Sequence, residues 1–167
     1  RFRRFLAWEF SVSVDQVQAY VLGGHGDSMV PLTGLSNVAG ISLDECVRSG
    51  KLSAERLAQI VQRTRDGGAE VVNLLKTGSA FYAPAAAALY MAESVLLDKK
   101  RIVPCAAKLK AGDYGVQSPM FVGVPAKLGA TGVEEIITVK LTDTESQQLQ
   151  KSIQAVIELN KAVEKFL

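Results

Sequence analysis

The chain has 167 residues, within the usual span of one domain, and 48% of them are hydrophobic, enough for a sizeable buried core. Its 19 basic and 17 acidic side chains are spread along the sequence, so charge gives no reason to expect nucleic acid or a membrane surface as partner. Cys46 and Cys105 fit neither metal-ligand nor redox spacing, so no metal is expected, and reduced thiols in the cytoplasm are the default reading. The start at Arg1-Phe2-Arg3-Arg4, without an initiator Met, reads as a chain cut from something longer. Phe2, Phe5, Leu6 and Phe10 recur at helical spacing, which predicts a helix at the very beginning. Val17 to Leu22 reads as a buried strand stopped by Gly23-Gly24, and Met29 to Leu43, broken by Pro31, Gly34 and Gly40, as irregular antiparallel ribbon.

Ser53 is placed to cap a helix whose Leu57, Ile60, Val61, Thr64, Val71, Val72 and Leu75 form one stripe, with Gly67-Gly68 as a point of bending. After Lys76-Thr77-Gly78-Ser79, the run from Pro84 through Leu97 is Ala-rich and apolar nearly all round, which predicts a helix buried on several sides as a central packing element. Strands are predicted at Arg101–Leu109, Met120–Lys127 and Glu135–Leu141, an antiparallel meander with turns such as Gly112-Asp113. Thr142-Asp143-Thr144-Glu145 is a capping box, and Leu149, Ile153, Val156, Ile157 and Val163 mark the apolar stripe of a last helix expected to cover the sheet. Helices grouped between antiparallel ribbons, without βαβ alternation, indicate an α+β fold. Gly23-Gly24-His25-Gly26 is not G-x-G-x-x-G, so no Rossmann dinucleotide domain is expected in this chain.

Three places carry candidate chemistry. His25, the single histidine, stands in Gly23-Gly24-His25-Gly26-Asp27 directly after a strand. Flanking glycines let a ligand approach the backbone, and an imidazole's ordinary pKa of about 6.5 suits proton exchange near neutral pH. The bland alternative, a structural histidine in a glycine-rich turn, weighs about equally on pattern alone. Arg1 can grip a carboxylate through two parallel hydrogen bonds, although Arg1, Arg3 and Arg4 together equally describe a solvated helix face. The turn Lys76-Thr77-Gly78-Ser79-Ala80-Phe81 either leaves room for a pocket wall or serves close helix packing, and the Tyr and Phe residues are expected in the core.

Taken together, Arg1-Phe2-Arg3, Val21 through Leu32 (VLGGHGDSMVPL), Leu75 through Pro84 (LKTGSAFYAP) and Val122-Gly123-Val124-Pro125 resemble the C-terminal domain of lactate-dehydrogenase-like malate dehydrogenases, in order and almost end to end. Leu128-Gly129 and Gly132-Val133-Glu134 continue the likeness. The resemblance implies one substrate-binding domain over residues 1–167, with antiparallel ribbons and meander packed on long helices, and an NAD-binding domain outside the chain. It implies His25 as general acid/base, with Arg1, Ser79 and Ala80 as substrate-binding residues for malate or oxaloacetate and NAD as cofactor, in a homodimer or homotetramer. Lactate dehydrogenases usually carry Tyr-Thr where this chain has Ser79-Ala80, and the smaller pair leaves room for a second carboxylate. The aspartate that the resemblance places beside the imidazole would stand three positions before Arg1. Gln18, where allosteric lactate dehydrogenases have a histidine, speaks against sugar-phosphate activation. A lactate dehydrogenase domain, or an inactive folding and association module, remains the alternative.

Overall fold

In the computed structural model, which describes residues 1–164 and 166, the chain divides into two units, one of Arg1–Tyr20 with Pro31–Pro84, the other of Val21–Val30 with the chain from Ala85 onward. The first unit opens on α1 (Phe2–Glu9), which buries Phe2, Leu6 and Ala7. Strands β1 (Val17–Leu22), β2 (Val30–Val38) and β3 (Ile41–Ser42) form a three-stranded sheet in that order. The buried Ser36 hydroxyl accepts from the Tyr20 N–H and donates to the Leu32 carbonyl, so a polar group inside this sheet has its partners.

Ser42 caps the short α2 (Leu43–Arg48), and Ser53 caps α3 (Ala54–Leu75) by accepting from the Arg56 N–H at 3.1 Å. Leu6 and Leu43 are fully buried, and each contributes about 1.5–3 kcal/mol on transfer from water, an upper figure because unfolded chains are already partly collapsed. On α3 the buried residues are Leu57, Ile60, Thr64 and Gly67. The predicted stripe is therefore buried in its first half, while Val72 and Leu75 are exposed. The helix continues through Gly67-Gly68, and Arg56 on it pairs with Glu9 of α1 at 2.7 Å.

The second unit is dominated by a long hairpin. β4 (Arg101–Leu109) pairs antiparallel with β5 (Met120–Gly129), Arg101 opposite Leu128 and Leu109 opposite Met120, and β6 (Gly132–Ile136) completes the sheet. The two-residue period puts Val103, Ala107 and Leu109 on one buried face with their partners Ala126, Val122 and Met120. Pro104 and Pro125 stand directly opposite each other, which works because an antiparallel ladder has positions where opposed residues exchange no N–H bonds. The third strand lies earlier than Glu135–Leu141, because the Ala130-Thr131 turn closes immediately after β5 and register begins at Gly129 opposite Gly132.

α4 (Tyr82–Leu96) overturns the expectation of a central, buried helix. Of its residues only Ser94 is buried, while Leu89 and Leu96 are 63% and 81% exposed. Apolar composition all round says that a helix needs cover, not that the same chain supplies it. Phe81 and Tyr82, expected in the core, are exposed and stack on each other at 4.5 Å. Ser94 ties the helix to the hairpin by donating to the Leu128 carbonyl at 2.7 Å. The last helix, α5 (Asp143–Glu164), starts at the predicted capping box: the Glu145 N–H donates to Thr142 Oγ1 at 3.2 Å and the Thr142 N–H to Glu145 Oε2 at 2.9 Å. It buries Leu149, Ser152 and Ile153, while Val163 of the expected stripe is exposed. Among the described residues no helix is long and apolar enough to cross a membrane.

Candidate functional site

The turn after β1 is built by close backbone approach. Gly23 has φ +86°, a left-handed conformation that costs glycine little, and it exchanges two backbone hydrogen bonds with Gly123 of β5 at 2.8 and 3.1 Å. A side chain on Gly123 would begin 2.5 Å from the Gly23 carbonyl oxygen, so this crossing admits only glycine there. The next N–H, that of Gly24, donates to the Ser152 hydroxyl of α5 at 2.7 Å. His25 follows with extended backbone, φ −91° and ψ 149°, and precedes a 3-10 turn at Gly26–Ser28. His25 is exposed, on a backbone secured just before it at Gly23 and Gly24.

Beside it lies a cavity of about 330 Å³, lined by His25, Val21, Pro104, Cys105, Val122 and Val156, with Gly23 and Gly24 in its wall. Burial pushes the Cys105 thiol above its usual range, which keeps it protonated and weakly nucleophilic. The hollow is thus mostly apolar with an imidazole at its edge, an arrangement able to exchange a proton with a small bound molecule. Among the described residues no group of three or more His, Cys, Asp or Glu is arranged to hold a metal ion.

Arg1, Ser79 and Ala80 belong to the first unit and His25 to the second. Arg1 Nη1 donates to the Thr64 carbonyl of α3 at 3.2 Å, and its side chain runs across Gly67 and Gly68 of the same helix. The bond engages one of the five donors of a guanidinium and orients its plane. Ser79 is exposed and Ala80 half-buried in the turn between α3 and α4, where Lys76 and Gly78 take left-handed backbone. Arg3, by contrast, is bound locally, to the Val14 carbonyl at 3.0 Å and to Asp15 at 3.3 Å. Sequence reasoning took Gly67 only as a point of bending and Gly123 only as part of a family motif, and it did not single out Ser152. A serine within an apolar helical stripe was the available signal for the last of these.

The family described as lactate/malate dehydrogenase, alpha/beta C-terminal domain, matches residues 1–167. A malate dehydrogenase of Francisella philomiragia is 64% identical over all 167 residues, which are 52% of that protein's length. The crystal structure of Cryptosporidium parvum malate dehydrogenase superposes with a TM-score of 0.93 at 41% identity, over 98% of this chain and 52% of that one. C. parvum lactate dehydrogenase, solved with lactic acid and β-nicotinamide adenine dinucleotide, gives 0.92 at 43% identity, over 98% of this chain and 51% of that one. The chain spans about half the length of these relatives. A match over every residue, on an α+β architecture with a glycine-bound histidine turn, establishes that the chain belongs to the lactate/malate dehydrogenase C-terminal domain family.

Proposed function

We propose that this chain is the substrate-binding and catalytic half of an NAD-dependent malate dehydrogenase, interconverting malate and oxaloacetate. The observation that carries the reading is His25, exposed at the rim of a mostly apolar cavity on a turn anchored at Gly23 and Gly24. In reduction of oxaloacetate the protonated imidazole gives its proton to the keto oxygen as hydride reaches the carbon; in oxidation the neutral ring takes the hydroxyl proton. Arg1 grips the C1 carboxylate, with its head group oriented by Thr64. Ser79 and Ala80 leave room for the second carboxylate, which favours malate over lactate.

The cavity is mostly apolar, and the Gly23-Gly24-His25-Gly26 stretch in its wall is not the G-x-G-x-x-G turn that cradles the pyrophosphate of a dinucleotide. NAD, whose chemistry is hydride exchange, is held mainly by the coenzyme domain that accounts for the remaining length of the relatives. That domain and a second copy of the enzyme, in a dimer or tetramer, are the partners proposed; two free cysteines fit a reducing cytoplasm.

Steady-state assays of the two-domain enzyme carrying this chain test the reading. Oxaloacetate should exceed pyruvate in kcat/KM by at least about 10²-fold, because a site built for a second carboxylate leaves polar groups unpaired with pyruvate. His25→Asn should lower kcat by about 10²–10⁴-fold with coenzyme affinity kept. Preference for pyruvate would make this a lactate dehydrogenase domain, and an active Asn variant would remove His25 from the chemistry.

A further inference from the structure

The imidazole can transfer a proton efficiently only if the turn beneath it is held still, and one side chain far along the sequence does this. Ser152 lies on α5, 128 residues from Gly24, is 1% exposed, and accepts the Gly24 N–H at 2.7 Å. A Cβ on Gly23 would collide with the Ser152 hydroxyl and lie 2.9 Å from its Cβ, so the contact is close-packed on its other side too. On α5, Ser152 occupies the buried face between Leu149 and Ile153, where an apolar side chain would gain more from burial than a hydroxyl does. Its oxygen there accepts from the N–H of Gly24, the residue before His25, so the buried hydroxyl is partnered across the fold.

A second tie, the Gly23–Gly123 pair, is made by backbone alone, with Gly23 both donating to and accepting from Gly123. It holds where the turn begins. The Ser152 bond holds the N–H of the Gly23–Gly24 peptide, whose carbonyl accepts from Gly123, so helix and strand together restrain the peptide one residue before His25. We propose that Ser152 is a positioning residue for His25, coupling α5 to the direction of the acid/base; the proposal rests on the reading of His25 given above.

The test compares Ser152→Ala with Ile153→Val in the two-domain enzyme. Ile153 is its buried neighbour on α5 and reports what simple loosening of the helix does. Ser152→Ala should lower kcat by about 10–100-fold, as a misplacement near 1 Å does, with coenzyme KM held within about twofold. Deuterium uptake of a peptide covering residues 21–29 should rise about tenfold in the same variant, from loss of one hydrogen bond. Ile153→Val should leave kcat and this uptake near the parent values. Equal kcat losses in the two variants, or parent-like kcat in Ser152→Ala, would overturn the proposal. If Ser152→Ala does not fold, Ser152→Cys, whose sulfur accepts only weakly, carries the same test: reduced kcat with faster uptake upholds the anchor, and a parent-like rate overturns it. If the parent enzyme itself fails to reduce oxaloacetate, the dehydrogenase reading falls separately. Uptake over 21–29 then decides the anchor alone, faster in Ser152→Ala if the anchor exists and unchanged if it does not.

Discussion

A Cβ on Gly67 would lie 2.8 Å from Cδ of Arg1, so the arginine occupies space that any other residue at position 67 would claim. At Gly68 a Cβ would come within 3.5 Å of Nη1 of the same side chain. The paired glycines, read from the sequence as a bend in a helix, make a bed for the guanidinium along an unbroken α3.

Gly67→Ala therefore separates fold from function. Alanine favours the helix by about 1 kcal/mol over glycine, and pushing a flexible arginine aside offsets a similar amount, so thermal stability should change little. The displaced guanidinium should raise the KM for oxaloacetate about tenfold, roughly 1.4 kcal/mol of lost binding. Circular dichroism melts and steady-state kinetics on the same preparation read both. An unchanged KM with an unchanged melt would mean that Arg1 does not hold substrate.

Thr142→Ala addresses the last helix. The reciprocal bonds between Thr142 and Glu145 satisfy backbone donors at the entry to α5, and losing the hydroxyl should cost about 1 kcal/mol, or about 2–4 °C in Tm for a chain of this size. Thr142→Ser, which keeps the oxygen, should melt near the parent. Equal melting of the Ala and Ser variants would show that the cap contributes nothing.

Features written in short stretches of chain were legible in the sequence. β1 and β4 have the predicted limits because each is a β-prone run closed by turn residues, and Ser53 and Thr142 cap where their hydroxyls precede amphipathic stretches. α2 escaped notice because its six residues, of which only Leu43 fell in the predicted ribbon, are too few to show a helical period, although Ser42 caps it as Ser53 caps α3. The surroundings of α4 were not legible because periodicity reports the character of a helix face and not what lies against it. The site divides in the same way. His25 and its glycines announce themselves locally, whereas Gly123 and Ser152 matter only because folding brings them to Gly23 and Gly24.

The turn before β4 predicts a defined pH response. Lys100 bridges Asp98 at 3.0 Å and Glu134 at 2.7 Å, while Asp98 also accepts the Ala130 N–H. The Ala130 amide, then Lys100, hold Asp98 below the usual carboxylate range; Lys100 does the same for Glu134, and these carboxylates in turn raise Lys100. Depressed carboxylates contribute stability that is present above their unfolded values, about 4, and is lost as pH falls through the folded ones. A raised lysine contributes stability that is complete below its unfolded value, about 10.4, and is lost as pH rises through the folded one. The cluster therefore stabilises between about pH 4 and about pH 10, and its exposure makes the effect small and salt-dependent. Lys100→Met should lower Tm most at neutral pH and low salt, and its melting curve should converge on the parent's as the carboxylates become protonated in acid. A Tm difference that stayed constant from neutral to acid pH would show that Lys100 acts through packing of its stem and not through its charge.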